Sequence, residues 1–134
     1  MIISDTQLLV YAALEGPNSE LALRVLERDG VWAAPFLWRS EFRNALLGEI
    51  RVRGLPLDDA LQAFHDAEAI LSGREHHSST HAVLAASEGN RITAYDLEFV
   101  VLARSLGVSL VTFDKQVLAA FPAVAVHPDV FLAS

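Results

Sequence analysis

The chain has no cysteine and a single lysine, so that nine of its ten basic residues are arginine. Without cysteine there are neither disulfides nor thiolate metal sites. No apolar run approaches the roughly 20 residues of a membrane-spanning helix. Asp5 interrupts the only apolar stretch near the start, and no basic segment precedes it, which argues against a signal peptide. We therefore expect a soluble, cytoplasmic protein that does not associate with membranes.

Two catalytic signatures are also missing. The sequence contains no G-x-S-x-G motif and no Gly-rich phosphate loop. Enzymes that use a serine nucleophile on a strand-to-helix turn, and those that cradle phosphates in a glycine loop, are therefore disfavoured.

Acidic residues outnumber basic ones, 17 to 10, which leaves a formal net charge of −7. Taken alone, this excess argues weakly against nucleic acid as a partner, because phosphates favour basic surfaces. Four of the arginines nevertheless fall between residues 39 and 53. They indicate either a locally basic surface or the solvated face of a helix, and the sequence leaves both possibilities open.

Length and apolar content predict one domain over residues 1–134 with a sizeable core, since 52% of the residues are hydrophobic. Short apolar runs alternate with segments of helical period. This alternation predicts an α/β fold, with three α/β/α layers around a central, mostly parallel sheet. The predicted strands are residues 1–3, 31–34, 108–112 and 124–126, and the polar segment 72–79 leaves a further short strand open. The predicted helices are residues 6–14, 19–28, 37–52, 58–71, 80–88, 97–106 and 116–121.

Asp5 and Asp114 each follow a short apolar strand and precede a helix. The carboxyl ends of parallel strands meet at one edge of a sheet, where α/β proteins bind ligands. Aspartate is also a favoured N-cap, so either residue alone has a purely structural explanation. If both strands are central, the two carboxylates emerge together at that edge.

Glu41 lies inside the long predicted helix on a face that is otherwise apolar. Trp38, three residues before it, and Ala45, four after it, share that face. A carboxylate in such a place is costly unless it is paired or bound to a cation. Pairing with Arg39 or Arg43 is the alternative to a bound metal ion.

Asp96 repeats this pattern at the start of a later helix, where Phe99, Val100 and Ala103 continue its face. Its structural alternative is a helix cap. Four acids that converged without compensation would repel one another, and a divalent cation removes that conflict. Oxygen ligands select the hard ions Mg²⁺ or Mn²⁺, which suit phosphodiester hydrolysis by a metal-activated water.

Three segments of the sequence resemble the PIN-domain ribonucleases, most closely the VapC-like toxins of bacterial toxin–antitoxin modules. They read IISDTQLLVYAAL at the start, WRSEFRNAL in the middle and AYDLEFVVLARSLGVSLVTFD near the end. The resemblance covers essentially the whole chain and implies a PIN-like fold with Mg²⁺ or Mn²⁺ as cofactor. By this resemblance the metal ligands are Asp5, Glu41, Asp96 and Asp114, Thr112 is the hydroxyl beside the last aspartate, and Thr6 follows the first.

The sequence departs from the family pattern at two places. Gln7 stands where the family usually has asparagine, two residues after the first aspartate. Lys115 and Gln116 follow Asp114, where many relatives carry a further acid. Neither change removes a predicted ligand.

The resemblance further implies an endoribonuclease that is the toxin of a type II toxin–antitoxin module. Its partners would be an RNA substrate, a small antitoxin that places an arginine among the carboxylates, and a second copy in a homodimer. The segment 131–133 or the tryptophans would contribute to the dimer. One alternative is a Mg²⁺-binding, receiver-like signalling module, which would need paired acids after the first strand. Another is a non-catalytic PIN scaffold, to which only Gln7 points.

The histidines of the segment Glu75-His76-His77, together with His81, suggest a zinc site at most weakly. A closed zinc site needs four ligands, and no further acid supports this one. The segment is instead expected to lead into a helix, with His81 packing or capping, and His65 and His127 on the surface.

Overall fold

The structure, a computed structural model that describes residues 1–134, is built on five short strands that all pair in parallel. They stand side by side in the order β3-β2-β1-β4-β5. Their bounds are β1 (Ile2–Ser4), β2 (Trp32–Pro35), β3 (Glu75–His76), β4 (Leu110–Val111) and β5 (Ala125–Val126).

Eight helices connect and cover these strands. In chain order they are α1 (Thr6–Ala13), α2 (Ser19–Arg28), α3 (Trp38–Arg53), α4 (Leu57–Leu71), α5 (Thr80–Ala86), α6 (Ala94–Leu106), α7 (Lys115–Ala120) and α8 (Pro128–Ala133). The long helices α3 and α6 both end at a glycine in the left-handed conformation, Gly54 and Gly107. Only glycine adopts that conformation without a steric penalty, so both ends follow from the sequence.

Successive strand residues point to opposite faces of the sheet, and this period of two creates two cores. One core packs against α1 to α4, and the other against α5 to α7. The strand residues of the first are Ile2, Trp32, Ala34 and Val111, and those of the second are Ile3, Ala33, Leu110 and Ala125. The predicted α/β fold of three layers, with a central parallel sheet, is thus confirmed.

The strand order reverses direction at β1, which has β2 on one side and β4 on the other. In doubly wound sheets a crevice opens at such a switch point, outside the carboxyl ends of the two strands. Asp5 follows β1 and Asp114 lies three residues after β4. The topology therefore places both aspartates at the position where ligands bind in this class of fold.

An aromatic cluster fixes the rotation of α3 about its own axis. Trp38 stacks on Phe64 of α4 with ring centroids 5.1 Å apart, and Phe42 meets both rings edge-on at 5.7 Å. Such pairs each add about 0.5–1.5 kcal/mol beyond the area that they bury. With this face packed inward, Glu41 is carried to the edge of the helix that looks over the carboxyl ends of the strands.

The strand that the sequence left open in segment 72–79 is present as β3, and the segment then leads into α5, which begins at Thr80. The helix α2 begins at Ser19 as predicted, with Asn18 in the cap position. The helix α8 was not predicted, and His127 caps it by accepting a hydrogen bond from the Asp129 amide at 3.1 Å. A Pro at the first helical position, Pro128, was the sequence signal for this helix.

Of the residues expected to contribute to a dimer, only the tryptophans lie inside the protomer. Trp32 and Trp38 are fully buried, so they are not available for a dimer contact. Phe131 and Leu132 pack against the core from α8, which lies on α2, but they stay partly exposed. A contribution of the segment 131–133 to a dimer stays a prediction. No helix is both long enough and apolar enough to cross a bilayer.

Leu71, at the end of α4, tests the core described above, because its side chain is 1% exposed. We expect Leu71→Ala to lower the free energy of unfolding by about 2–5 kcal/mol, since it removes buried apolar surface and leaves a cavity. Leu23→Ala is the matched control at a position that is 50% exposed, and it should change stability by less than about 0.5 kcal/mol. Urea denaturation measures both, and equal losses would contradict the assignment of this core.

Candidate metal centre

A cleft of about 730 Å³ opens at the switch point, and all four carboxylates predicted as metal ligands line it. They come from four elements: the ends of β1 and β4, the first turn of α3 and the first turn of α6. Each of these acidic residues is partly exposed. The lining residues of the cleft include no lysine, arginine or histidine. The negative charge of this cleft is therefore not neutralised by any side chain that lines it.

The Asp5 carboxylate is held from both sides. Its Oδ1 accepts a hydrogen bond from the Leu8 amide at 2.7 Å, which caps α1. Its Oδ2 accepts from the Thr112 hydroxyl at 2.7 Å and from the Phe113 amide at 3.0 Å. Asp5 is therefore both a helix cap and part of the cleft, and the capping role considered from the sequence accompanies the ligand role without replacing it.

Thr112 links the two strand-end aspartates. Its side chain is buried, donates to Asp5 and accepts a hydrogen bond from the Asp114 amide at 3.0 Å. Asp114 in turn caps α7 by accepting from the Val117 amide at 2.9 Å. One hydroxyl thus sets the spacing between Asp5 and Asp114.

Glu41 is not paired with an arginine. Its Oε1 accepts a hydrogen bond from the Thr6 hydroxyl at 2.7 Å. Arg39 instead binds Glu75 at 2.6 Å and Glu68 at 3.0 Å. Arg43 lies over the ring of Phe64. The structural alternative for Glu41, an ion pair with a neighbouring arginine, is therefore wrong.

Asp96 is not the cap of its helix. The helix α6 begins two residues earlier, at Ala94, and Thr93 caps it by accepting from the Asp96 amide at 3.2 Å. The Asp96 carboxylate is thereby released from capping and faces the cleft within the first turn. Phe99 and Val100, which follow Asp96 on the same face of the helix, are buried in the second core together with Leu97.

The charges in the cleft act on one another. Burial raises the pKa of Asp5 above its usual value; the hydrogen bonds from Leu8, Thr112 and Phe113 offset part of this rise, and the charge of Asp114 adds to it. Burial also raises the pKa of Glu41, as do the nearby charges of Asp96, Asp5 and Glu98.

The same two causes act on Asp96. Burial first, and then the charge of Asp114, raise the pKa of its carboxyl group. Groups that share a site with like charges resist ionisation, so the cleft favours an added cation.

The donor set fits a hard divalent ion in its chemistry, because every candidate ligand is a carboxylate oxygen. As the side chains stand, however, no three acidic or histidine groups meet closely enough to hold an ion. Asp5 and Asp114 direct oxygens to helix caps, and Glu41 directs one to Thr6. The second oxygens of Glu41 and Asp114 accept no hydrogen bond from these partners and can turn toward the cleft. That these residues bind metal stays a prediction.

Sequence reasoning missed several polar residues of the cleft. Ser40, Asn44 and Tyr95 line it together with Gln7. Ser40 and Asn44 are spaced four apart on α3 and flank Glu41, which was the available signal. Glu98 is partly buried, and its charge is one of the causes that raise the pKa of Glu41.

No group of three potential metal ligands meets around the histidines, so the structure gives no support to a zinc site there. Glu75 and His76 form β3. The side chain of Glu75 is instead occupied by Arg39 and by the Trp38 indole, which donates to it at 2.6 Å.

The family model described as "PIN domain" matches residues 2–124 of this chain. The chain belongs to the PIN domain family. The family predicted from the three sequence segments is thereby confirmed, and PIN domains are generally metal-dependent nucleases.

Among solved structures, this PIN domain is similar to the crystal structure of FitAcB from Neisseria gonorrhoeae. The TM-score is 0.67 at 18% sequence identity, and the match covers 96% of this chain and 98% of that one. At this identity the likeness establishes the shared fold. The comparison with curated proteins found no match.

Thr112→Val tests the link between the two strand ends, because it keeps the shape of the side chain and removes the hydroxyl. We expect the free energy of unfolding to fall by about 1–3 kcal/mol, since the buried Asp114 amide and the Asp5 carboxylate lose a partner. Thr112→Ser retains the hydroxyl and should retain most of the stability. Chemical denaturation compares the two, and a valine variant as stable as the serine variant would contradict the link.

Glu41→Gln tests the repulsion in the cleft, since glutamine still accepts from Thr6 but carries no charge. The raised pKa of Glu41 means that the folded state keeps this proton to higher pH than the unfolded chain, so wild-type stability falls as pH rises between the two values. In EDTA at about pH 8 we expect the variant to be more stable, by no more than about 1 kcal/mol because solvent screens this site.

The advantage of Glu41→Gln should vanish at about pH 3.5, where Glu41 is protonated in both states. Thermal unfolding at the two pH values measures it. A variant that is less stable at the higher pH would show that Glu41 is not destabilised by its neighbours.

Proposed function

We propose that this PIN domain is an Mg²⁺- or Mn²⁺-dependent endoribonuclease that hydrolyses RNA phosphodiester bonds. The observation that carries the proposal is the cleft at the switch point, which gathers four carboxylates and no basic side chain. Burial and mutual repulsion already raise the pKa of three of them. Such a cleft repels a phosphodiester unless cations are added, which ties substrate binding to metal binding.

The proposed roles follow from the contacts. Asp5, Glu41, Asp96 and Asp114 would hold the ions, and Thr112 would position Asp5 and Asp114 through its two hydrogen bonds. Thr6 holds Glu41 in the same way from the first turn of α1. When bound, Mg²⁺ or Mn²⁺ lowers the pKa of a water and stabilises the leaving oxygen of the phosphodiester.

We further propose that the protein is the toxin of a type II toxin–antitoxin module, acting in the cytoplasm. Support comes from the resemblance of its segments to VapC-like toxins and from the fold that it shares with FitAcB. The charge of the cleft suits a small antitoxin that inserts an arginine among the carboxylates. A guanidinium there would form bidentate hydrogen bonds with a carboxylate and compete with the metal.

A homodimer is also proposed, on a surface that does not include the buried tryptophans. Val52 at the end of α3 and Leu57 at the start of α4 are 83% and 64% exposed. These two large apolar side chains, five residues apart in the chain, and the segment 131–133 are the candidates for that surface.

Both alternative functions are less well supported. Receiver-like modules have the strand order 2-1-3-4-5, whereas this sheet has the order 3-2-1-4-5. The non-catalytic scaffold rested on Gln7, which lines the cleft and keeps an amide there. An additional methylene at one rim position leaves all four carboxylates in place.

Asp5→Asn tests the proposed chemistry. We expect it to lower the rate of RNA cleavage in Mn²⁺ by at least about 100-fold, because one candidate ligand loses its charge. Circular dichroism should show unchanged secondary structure, since asparagine is also a good N-cap. The melting temperature without metal should fall, because the amide nitrogen of the asparagine cannot accept the hydrogen bonds that Thr112 and Phe113 donate to the carboxylate. Asp129→Asn is the matched control on the exposed side of α8, and it should cleave at the wild-type rate.

A second measurement does not depend on activity. Mn²⁺ should raise the melting temperature of the wild-type chain and of Asp129→Asn, and should raise that of Asp5→Asn much less. Wild-type cleavage by Asp5→Asn, or cleavage by the wild type that is undiminished in EDTA, would overturn the proposed mechanism.

A further inference from the structure

A second, smaller pocket of about 340 Å³ adjoins the carboxylate cleft. The two have no lining residue in common but are lined by consecutive residues of the chain: Phe36 lines the pocket and Leu37 the cleft, while Ala94 lines the pocket and Tyr95 the cleft. Glu98 of the pocket lies two residues after Asp96 of the cleft on the same helix. A polymer that extends from the cleft along these residues would reach the pocket.

An aromatic pair forms one side of the pocket. The rings of Phe36 and His77 lie with their centroids 4.5 Å apart and their planes tilted by 30°. The Phe36 amide donates to the His76 carbonyl at 3.1 Å, which extends the pairing of β2 with β3 by one residue. The backbone thus holds the pair in place, although both side chains are exposed. Aromatic rings usually bury their apolar faces, so a pair that the backbone holds in an exposed position suggests that a ligand stacks on it.

The pocket also offers polar groups. The Ser78 hydroxyl is buried and has no hydrogen-bond partner, a cost of about 1–3 kcal/mol that rotation of the hydroxyl toward a bound polar group would relieve. The partly buried carboxylate of Glu98 is an acceptor. No three potential metal ligands meet in this pocket. A flat ring with hydrogen-bonding edges matches the combination of stacking surface, hydroxyl and carboxylate.

We propose that this pocket binds one unpaired nucleobase of the RNA substrate, next to the phosphodiester that is cleaved, with the base stacked on the pair Phe36–His77. The inference rests on the proposed nuclease function. The volume of the pocket lies at the lower end of the roughly 300–1,000 Å³ that is typical of ligand pockets, which suits one ring system. Stacking on aromatic side chains is the usual way in which proteins hold splayed bases. Glu98 accepts from an exocyclic amino group, so the pocket discriminates against uracil.

Photo-cross-linking tests the location directly. The wild-type chain is irradiated in Mn²⁺ with single-stranded RNA that carries 5-iodocytidine, and the labelled peptides are mapped by mass spectrometry. We expect the label on Phe36 or on residues 76–78. Labelling confined to other surfaces would overturn the inference.

Kinetics test the role of the stacking pair. Phe36→Ala should raise KM for single-stranded RNA by roughly 5- to 100-fold, the range for loss of one stacked base, with kcat within about twofold of wild type. His77→Ala should act in the same direction. His65→Ala is the matched control, because His65 is exposed on α4, and it should leave KM unchanged. A Phe36 variant with wild-type KM would contradict the role of the pair.

Glu98→Gln tests the choice of base. The amide offers both a donor and an acceptor, so cleavage beside uridine should rise relative to cleavage beside cytidine, by about tenfold for one changed hydrogen-bonding pair. This ratio is insensitive to a general loss of activity or stability. An unchanged ratio would contradict readout by Glu98.

The outcomes separate this inference from the function on which it rests. If the protein cleaves RNA but cross-links to it at other surfaces, and KM is unchanged in Phe36→Ala, the base pocket is wrong and the nuclease function stands. If the pocket is labelled but RNA is never cleaved, the pocket stands and the nuclease function is wrong. If RNA is neither cleaved nor cross-linked, both are wrong.

Discussion

The arrangement depends on the hydrogen bonds that hold the Asp5 carboxylate between two strand ends. One oxygen caps α1, and the other receives a hydroxyl and an amide from the chain that leaves β4. A single side chain therefore sets the direction of the first helix and closes the switch point of the sheet. Because the same carboxylate is a candidate ligand, the fold and the proposed chemistry are built from one group.

The negative charge of the cleft is the second constraint. It opposes the hydrogen bonds of Asp5, because these bring the carboxylates together and like charges repel. The acids around Asp5 disfavour one another's ionisation, and Arg39, two residues before Glu41, is neutralised by Glu75 and Glu68. Repulsion in the cleft is therefore expected to lower the stability of the fold, as is common where activity needs a strained or repulsive site. The aromatic packing of α3 and the two cores supply the stability that tolerates it.

Most strands and helices of the fold were predictable from the sequence, because the signals for strands, helices and helix-ending glycines are local. The candidate ligands Asp5 and Asp114 were identified for the same reason, since each follows a local strand signal. The strand β3 was left open rather than predicted, because Glu75 is polar and its side chain is held by Arg39 and Trp38, more than 35 residues away. The start of α6 was misplaced because Asp96 and Thr93 are both good caps, and the choice between them depends on tertiary packing. Distances among the four carboxylates depend on side-chain rotation, which no sequence pattern encodes.

Both edge strands of the sheet, β3 and β5, are only two residues long. Little open backbone is left at either side for another chain to extend the sheet, which protects the protein against edge-to-edge aggregation. The short edges also bear on assembly. They offer a binding partner little backbone to pair with, so contacts of this protein with another chain are expected to involve side chains on helix surfaces rather than main-chain pairing.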